Sequence, residues 1–295
     1  MLPDPVRRIV EEIGSDTRSG AMPLAQKALD AYSLLSELSE GQATAEELHR
    51  YLEHVQPWMA AVINASVMGR AIAASGRWED LGRLRDRLAT ARQEVAHAAM
   101  TPLKGCGTLL TISYSTDVFE ALRRLQRETP GLKVYVCESR PLREGVSLAQ
   151  ALGKVSVNAE LVADAAGPSM VPRCDAVVTG ADSLLRDGQL VNKIGTLGLG
   201  LACVEFGVPF YALMEVLKVE LVDHQISWEE ESRDPGELST EVKALNFYFE
   251  RVPVRLVHSL VTDAGAMDTS SIMNRFKRAE DLIDFYVPGG PKPQP

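Results

Sequence analysis

From residue 108 onward, short β-branched runs alternate with helical stretches, and this alternation implies a mainly parallel sheet covered by helices on both faces. The predicted strands are Thr108–Ile112, Lys133–Cys137, Glu160–Ala163, Asp175–Thr179 and Val208–Leu213. Helical spacing fills the gaps at Asp117–Glu128, Val146–Leu152 and Leu197–Glu205. Crossovers in such a sheet are right-handed. The character changes at Lys104-Gly105-Cys106-Gly107. Before that point the chain reads as helices: Pro5–Ile13, Met22–Leu38, Thr44–His54, Trp58–Ala74 and Trp78–Met100. The last sets Leu81, Leu84, Leu88, Ala91, Val95 and Ala98 on one face at three–four spacing, a stripe made for packing. The expectation is an α/β protein with a helical N-terminal domain at 1–103 and a sheet domain at 104–295. Residues 219–250, with Trp228-Glu229-Glu230-Glu231, read as a polar excursion or arm, and an apolar run Val252–Val261 follows. The proline- and glycine-rich tail Pro288–Pro295 reads as disordered.

Composition narrows the function classes. The net charge of −9 argues against non-specific nucleic-acid binding, which needs a basic face. Cys106, Cys137, Cys174 and Cys203 form no CxxC pair and have no histidine cluster beside them, so neither a zinc site nor a disulfide framework is expected. No cofactor motif is present. The N-terminus lacks the apolar core of a signal peptide, and the longest apolar runs fall far short of a membrane span. A cytoplasmic protein without a membrane partner is the expectation.

Ligands of open parallel sheets bind beyond the carboxyl ends of the strands. Polar residues stand there repeatedly: Ser113-Tyr114-Ser115, Glu138-Ser139-Arg140-Pro141, Asp164, Gly180-Ala181-Asp182-Ser183 and Glu215. Asp182 follows an apolar strand, where a covered carboxylate gains acid/base character through desolvation. Its competing role is to satisfy local turn amides. Asn192-Lys193-Ile194-Gly195-Thr196 reads as the opening of a helix, whose free amides beside Lys193 would seat a phosphate. Thr196 as an ordinary helix cap fits the same residues. Arg140 is a second phosphate candidate, or one half of a surface ion pair.

These runs, at this spacing, resemble one superfamily. It holds methylthioribose-1-phosphate isomerase, ribose-1,5-bisphosphate isomerase and the alpha, beta and delta regulatory subunits of translation initiation factor 2B. The matching pieces are Glu138 through Pro141, Gly180 through Asp182, Asp187-Gly188, Asn192 through Thr196, Pro209-Phe210-Tyr211 and Lys218. Asp16 through Ala21, Pro57 through Ala60, Asn246 through Pro253 and Thr262 through Gly265 extend the likeness over nearly the whole chain. The resemblance implies a helical domain on a Rossmann-like domain, usually dimerised through the latter. It implies Asp182 as the catalytic aspartate and Asn192, Lys193 and Lys218 as ligand-binding residues. It also makes Gly20 and Ala21 a phosphate loop. The isomerases shuttle a proton between C2 and C1 of an opened sugar with an aspartate and a cysteine. That cysteine position is Ser113 here, and Gln56 replaces the phosphate-binding arginine of the methylthioribose-phosphate enzymes. A serine hydroxyl without a base beside it is no substitute for a thiol. Cys137, at the end of the neighbouring strand, is a candidate replacement or simply a small buried residue. Two functions follow: a sugar-phosphate aldose–ketose isomerase, or a non-catalytic regulatory subunit that binds a sugar phosphate or nucleotide and assembles as a homodimer or larger oligomer.

Overall fold

A computed structural model of the protein describes residues 1–16, 19–38, 42–221 and 232–291. Five helices come first: α1 (Asp4–Ser15), α2 (Ala21–Glu37), α3 (Gln42–Val55), α4 (Ala60–Ser75) and α5 (Glu79–Ala98). Helix α4 is mostly apolar and buried along almost its whole length, so it forms the centre of this layer, with α2 and α3 packed against it. The stripe Leu81, Leu84, Leu88, Ala91 and Val95 of α5 is buried as its spacing predicts.

The main sheet has the strand order β10-β9-β7-β4-β1-β2-β3. Its members are β1 (Thr108–Thr111), β2 (Lys133–Cys137), β3 (Asn158–Val162), β4 (Ala176–Gly180), β7 (Phe210–Leu213), β9 (Ser259–Thr262) and β10 (Gly265–Met267). All pairings are parallel except that of β9 with β10. The five predicted strands are therefore present, with ends moved by one or two residues. Helices α6 (Thr116–Glu128) and α7 (Glu144–Lys154) pack with the end of α5 over one face. The short α8 (Gly167–Met170) and α9 (Thr196–Phe206) lie with the other core. That second core is continuous from Leu2 in the helical layer through Ile112 and Phe210 of the sheet to Val287. Helices α10 (Thr269–Arg275) and α11 (Ala279–Tyr286) close the chain, and α11 packs back onto α4 and α5.

One element departs from the sequence expectation. The run Asn192 through Thr196 does lead into a helix, α9, but residues 189–193 before it form a strand the sequence reading did not foresee, β6 (Gln189–Lys193), between β5 (Ser183–Leu184) and β8 (Phe249–Pro253) in a small antiparallel sheet. Four of its five residues are buried, so the polar–apolar alternation that marks a half-exposed strand is absent. The apolar run 252–261 likewise splits into the end of β8, a turn and β9. Residues 232–248 do not stand off as an arm but return to the body through β8. Trp228 through Glu231 and residues 292–295 of the tail lie outside the described residues. Among the described residues no helix is long and apolar enough to cross a membrane.

Candidate functional site

A cavity of about 450 Å³ opens between the helical layer and the carboxyl ends of the sheet strands. Its helical wall carries Ser19, Gly20, Ala21, Gln56 and Trp58; its floor carries Ser113, Asp182, Asn192, Lys193 and Lys218. The strap before β8 contributes Arg233 and Tyr248.

Asp182 stands just past β4, and its backbone N–H donates to the Val191 carbonyl at 2.9 Å. Among the described residues no group hydrogen-bonds its carboxylate, so the turn-capping role weighed above is not what the side chain does. Burial raises its pKa, and the positive charges of Lys218 and Lys193 oppose that rise. Gly180, at the end of β4, has no room for a side chain, because a Cβ would lie 2.9 Å from Cβ of Ser115.

Lys193 is almost fully buried, pairs with Glu144 at 2.9 Å, and lies 5.3 Å from the ring centre of Tyr248. Arg233 approaches the same ring at 5.3 Å. Asn192 Nδ2 donates to Thr196 Oγ1 at 2.9 Å, and that hydroxyl donates to the Lys193 carbonyl at 2.6 Å, closing the turn. Gly195 holds φ at +104°, a conformation other residues rarely adopt.

Lys218 sits between two buried acids, 3.2 Å from Asp117 Oδ2 and 3.0 Å from Glu215 Oε2. Burial, reinforced by the Glu215 charge, pushes the Asp117 carboxyl well above the ordinary range, and Lys218 restrains it. Glu215 is also lifted by burial, but Lys218 outweighs that effect and holds it below its ordinary value. One cation flanked by two carboxylates is thus locked in its charged form behind the cavity floor.

Three expectations require correction. First, the anion seat at the start of α9 is already filled: Glu250 Oε1 accepts from the N–H groups of Gly195 and Leu197 at 2.7 and 2.8 Å. Register places Glu250 opposite Asn192 on β8, which is why its carboxylate reaches the helix end. Second, Arg140 is exposed and does not line the cavity; its loop is held instead by Asp164, which accepts from the N–H groups of Ser139 and Arg140 at 2.7 Å each. Third, Cys137 faces away from the cavity. It is fully buried beneath Gly167, and burial pushes its thiol up to about 12, further raised by Asp164 and Cys174. It is a packed strand residue and not a stand-in for the thiol missing at Ser113.

Ser113 does line the cavity, with φ at +67° and its N–H donating to Ser139 Oγ at 2.8 Å. Among the described residues its hydroxyl makes no hydrogen bond. Gly20 and Ala21 form the N-terminal end of α2, which opens onto the cavity with a glycine, and so no capping side chain of its own, at the cap position. The helix end available to a phosphate is therefore that of α2, not α9. Glu144, Arg233, Tyr248 and Asp117 were missed by the sequence reading. The available hint of the strap was the stretch Asn246 through Pro253, which carries Tyr248 and matches the superfamily. Among the described residues no cluster of three or more His, Cys, Asp or Glu side chains is placed to hold a metal.

Comparison with known proteins adds relatives to this geometry. The model of the initiation factor 2 subunit family matches residues 19–269. A Pyrococcus furiosus protein described as translation initiation factor eIF-2B subunit 2-like is 30% identical over 282 residues, covering 90% of this chain and 97% of that protein. A ribose 1,5-bisphosphate isomerase of Haloferax volcanii is 26% identical over 293 residues, covering 91% of this chain and 90% of its own. Among solved structures, the Pyrococcus horikoshii OT3 translation initiation factor eIF-2B superposes with a TM-score of 0.79 at 28% identity, covering 92% of this chain and 99% of that one. A chain of the tetrameric eIF2B-beta2-delta2 complex from C. thermophilum shares the fold, with a TM-score of 0.73 at 16% identity over 94% of each chain.

Proposed function

The chain belongs to the initiation factor 2 subunit family, and from that premise we propose that its cavity binds a phosphorylated sugar and interconverts aldose and ketose forms with Asp182 as the acid/base. The observation that supports this most is the Asp182 carboxylate, desolvated and without a hydrogen-bond partner among the described residues, between Lys193 and Lys218. The carboxylate takes a proton from C2 of the opened sugar and returns it to C1, while the C2 hydroxyl gives up its proton, through solvent, to the oxygen that leaves C1 when the ring opens. The enediolate formed between those steps carries negative charge on oxygen, and the ammonium of Lys218 is a fixed counter-charge for it. Lys193 and the α2 end at Gly20 and Ala21 hold the phosphate.

Ser113 favours a second reading, in which the same ligand is bound but not turned over. General acid–base help is worth about 10²–10⁴ in rate, and among the described residues no hydrogen bond engages the hydroxyl at this position to activate it. The protein then acts as a binding subunit of the regulatory kind. Incubation with ribose 1,5-bisphosphate and methylthioribose 1-phosphate, followed by phosphorus NMR, separates the two. Ketose formation above that of Asp182→Asn supports the isomerase. Ligand-induced thermal stabilisation that is lost in Lys193→Ala, without turnover, supports the binding subunit. Absence of both refutes a phosphate-ligand site.

A further inference from the structure

We propose that Asn64 and Tyr286 are positioning residues for Lys218, fixing from two distant parts of the chain the turn that delivers its ammonium to the cavity. The turn Val216–Lys218 follows β7, and of its three residues only Lys218 lines the cavity. Asn64 Nδ2, from the middle of α4, donates to the carbonyls of Leu217 and Val219 at 2.7 Å each, gripping the backbone on both sides of Lys218. From the other end of the chain, the Leu217 N–H donates to the Tyr286 hydroxyl at 3.1 Å. That hydroxyl donates to Asp263 Oδ2 at 2.8 Å, while Asp263 Oδ1 accepts from the Val216 N–H at 2.8 Å.

Packing alone does not ask for these groups. Asn64 is buried in a helix whose buried residues are mostly Ala, Val, Ile and Met, where an apolar side chain would pack without the desolvation cost of an amide. Tyr286 is likewise buried, and its hydroxyl is its one polar demand. Both polar groups are spent on one turn. The ammonium they position is already flanked by Asp117 and Glu215, so a small tilt of the turn would draw it away from the ligand and towards those acids. The last helix and the central helix of the N-terminal layer thereby act on a site that neither of them lines through these residues.

The inference rests on the sugar-phosphate reading for its effect on affinity, and its test has an arm that does not. Amide hydrogen exchange of the full chain without ligand is compared among wild type, Asn64→Leu and Tyr286→Phe. Loss of protection at 216–219, about tenfold or more and confined to that turn, is expected from removing one buried partner. Calorimetric titration with ribose 1,5-bisphosphate then uses a double-mutant cycle. Tyr286→Phe is expected to weaken binding about tenfold in wild type and to have no further effect in a Lys218→Met background. A purely structural role would weaken binding by the same factor in both backgrounds, and that result overturns the proposal. So does unchanged exchange at 216–219 in both variants. If wild type binds no phosphorylated sugar while exchange responds as expected, the sugar-phosphate reading fails and the hold on the turn stands.

Discussion

Replacing Lys218 with Met strips the cation from between two buried carboxylates and makes the size of the loss depend on pH. Both acids are about 1% exposed, and both lie within 3.2 Å of the ammonium. Breaking a buried pair by removing one partner costs about 3–5 kcal/mol. That is a large part of a typical stability of about 5–15 kcal/mol. In wild type the Glu215 carboxyl lies below its ordinary pKa because of Lys218, so its contribution is present above about pH 4.3 and lost on acidification. Without Lys218, burial and mutual repulsion raise both acids. Each then contributes stability that is full below about pH 4 and declines as pH rises, by up to about 1.4 kcal/mol per unit per proton. The gap between wild type and Lys218→Met therefore widens from pH 5 to pH 8. Urea unfolding followed by tryptophan fluorescence at each pH measures it. Adding Glu215→Gln to the variant should recover most of the loss at pH 8. A gap that is the same at pH 5 and pH 8, or below about 1 kcal/mol at pH 8, refutes the reasoning.

Other outcomes follow from features elsewhere. Glu250→Ala leaves two amides at the start of α9 without their acceptor, for a loss of about 2–4 kcal/mol in urea unfolding, and added sulfate should stabilise this variant more than wild type. His49 is held between Ser66 at 2.9 Å and Glu53 at 3.2 Å, and burial, helped by Arg70, lowers its pKa. The folded state then takes that proton less readily than the unfolded one, so the unfolding midpoint should fall as pH drops below about 6.5 and flatten in His49→Gln; an unchanged slope counts against this. Leu201 and Val204 stand more than half exposed on one side of α9, the surface on which a second copy of the chain is expected to sit. Leu201→Glu with Val204→Glu should convert an oligomer to monomer in sedimentation velocity without lowering the melting temperature.

The sheet domain was legible because its strands are short apolar runs bounded by turn residues, and the helical layer because α5 shows its stripe in plain spacing. The floor of the site was legible for the same reason: strand ends are readable, and Asp182 and Lys218 follow them. Two kinds of information were not local. The strand β6 is almost wholly buried and paired with β8, about sixty residues away, and no periodicity within five residues announces such a partner. The occupancy of the α9 helix end by Glu250 depends on that same pairing, so a vacant anion seat was read where the chain supplies its own carboxylate. Cys137 shows the complementary error. Alternation along β2, with Lys133 and Tyr135 half-buried and Val134 and Val136 buried, groups Cys137 with the more open face, yet Cys137 is fully buried by packing that spacing alone does not show.

The continuous core that joins the helical layer to the sheet also bears on how a ligand comes and goes. Prising the two layers apart would wet Leu24, Leu29, Ile112 and Phe210 together, at about 25 cal/mol for each Å² of apolar surface exposed. Traffic through the cavity is therefore expected to avoid a clamshell motion of the two layers. The lighter gate is the strap that carries Arg233 and Tyr248, braced internally by the Tyr248 hydroxyl to Glu237 at 2.5 Å and Asn246 to the Asp234 carbonyl at 2.8 Å, and tied to the body by polar contacts such as the Ile194 N–H to the Tyr248 carbonyl at 2.9 Å. Residence time would then be set by how often those few contacts break, so association and release rates should respond to changes in the strap far more than to changes in the core.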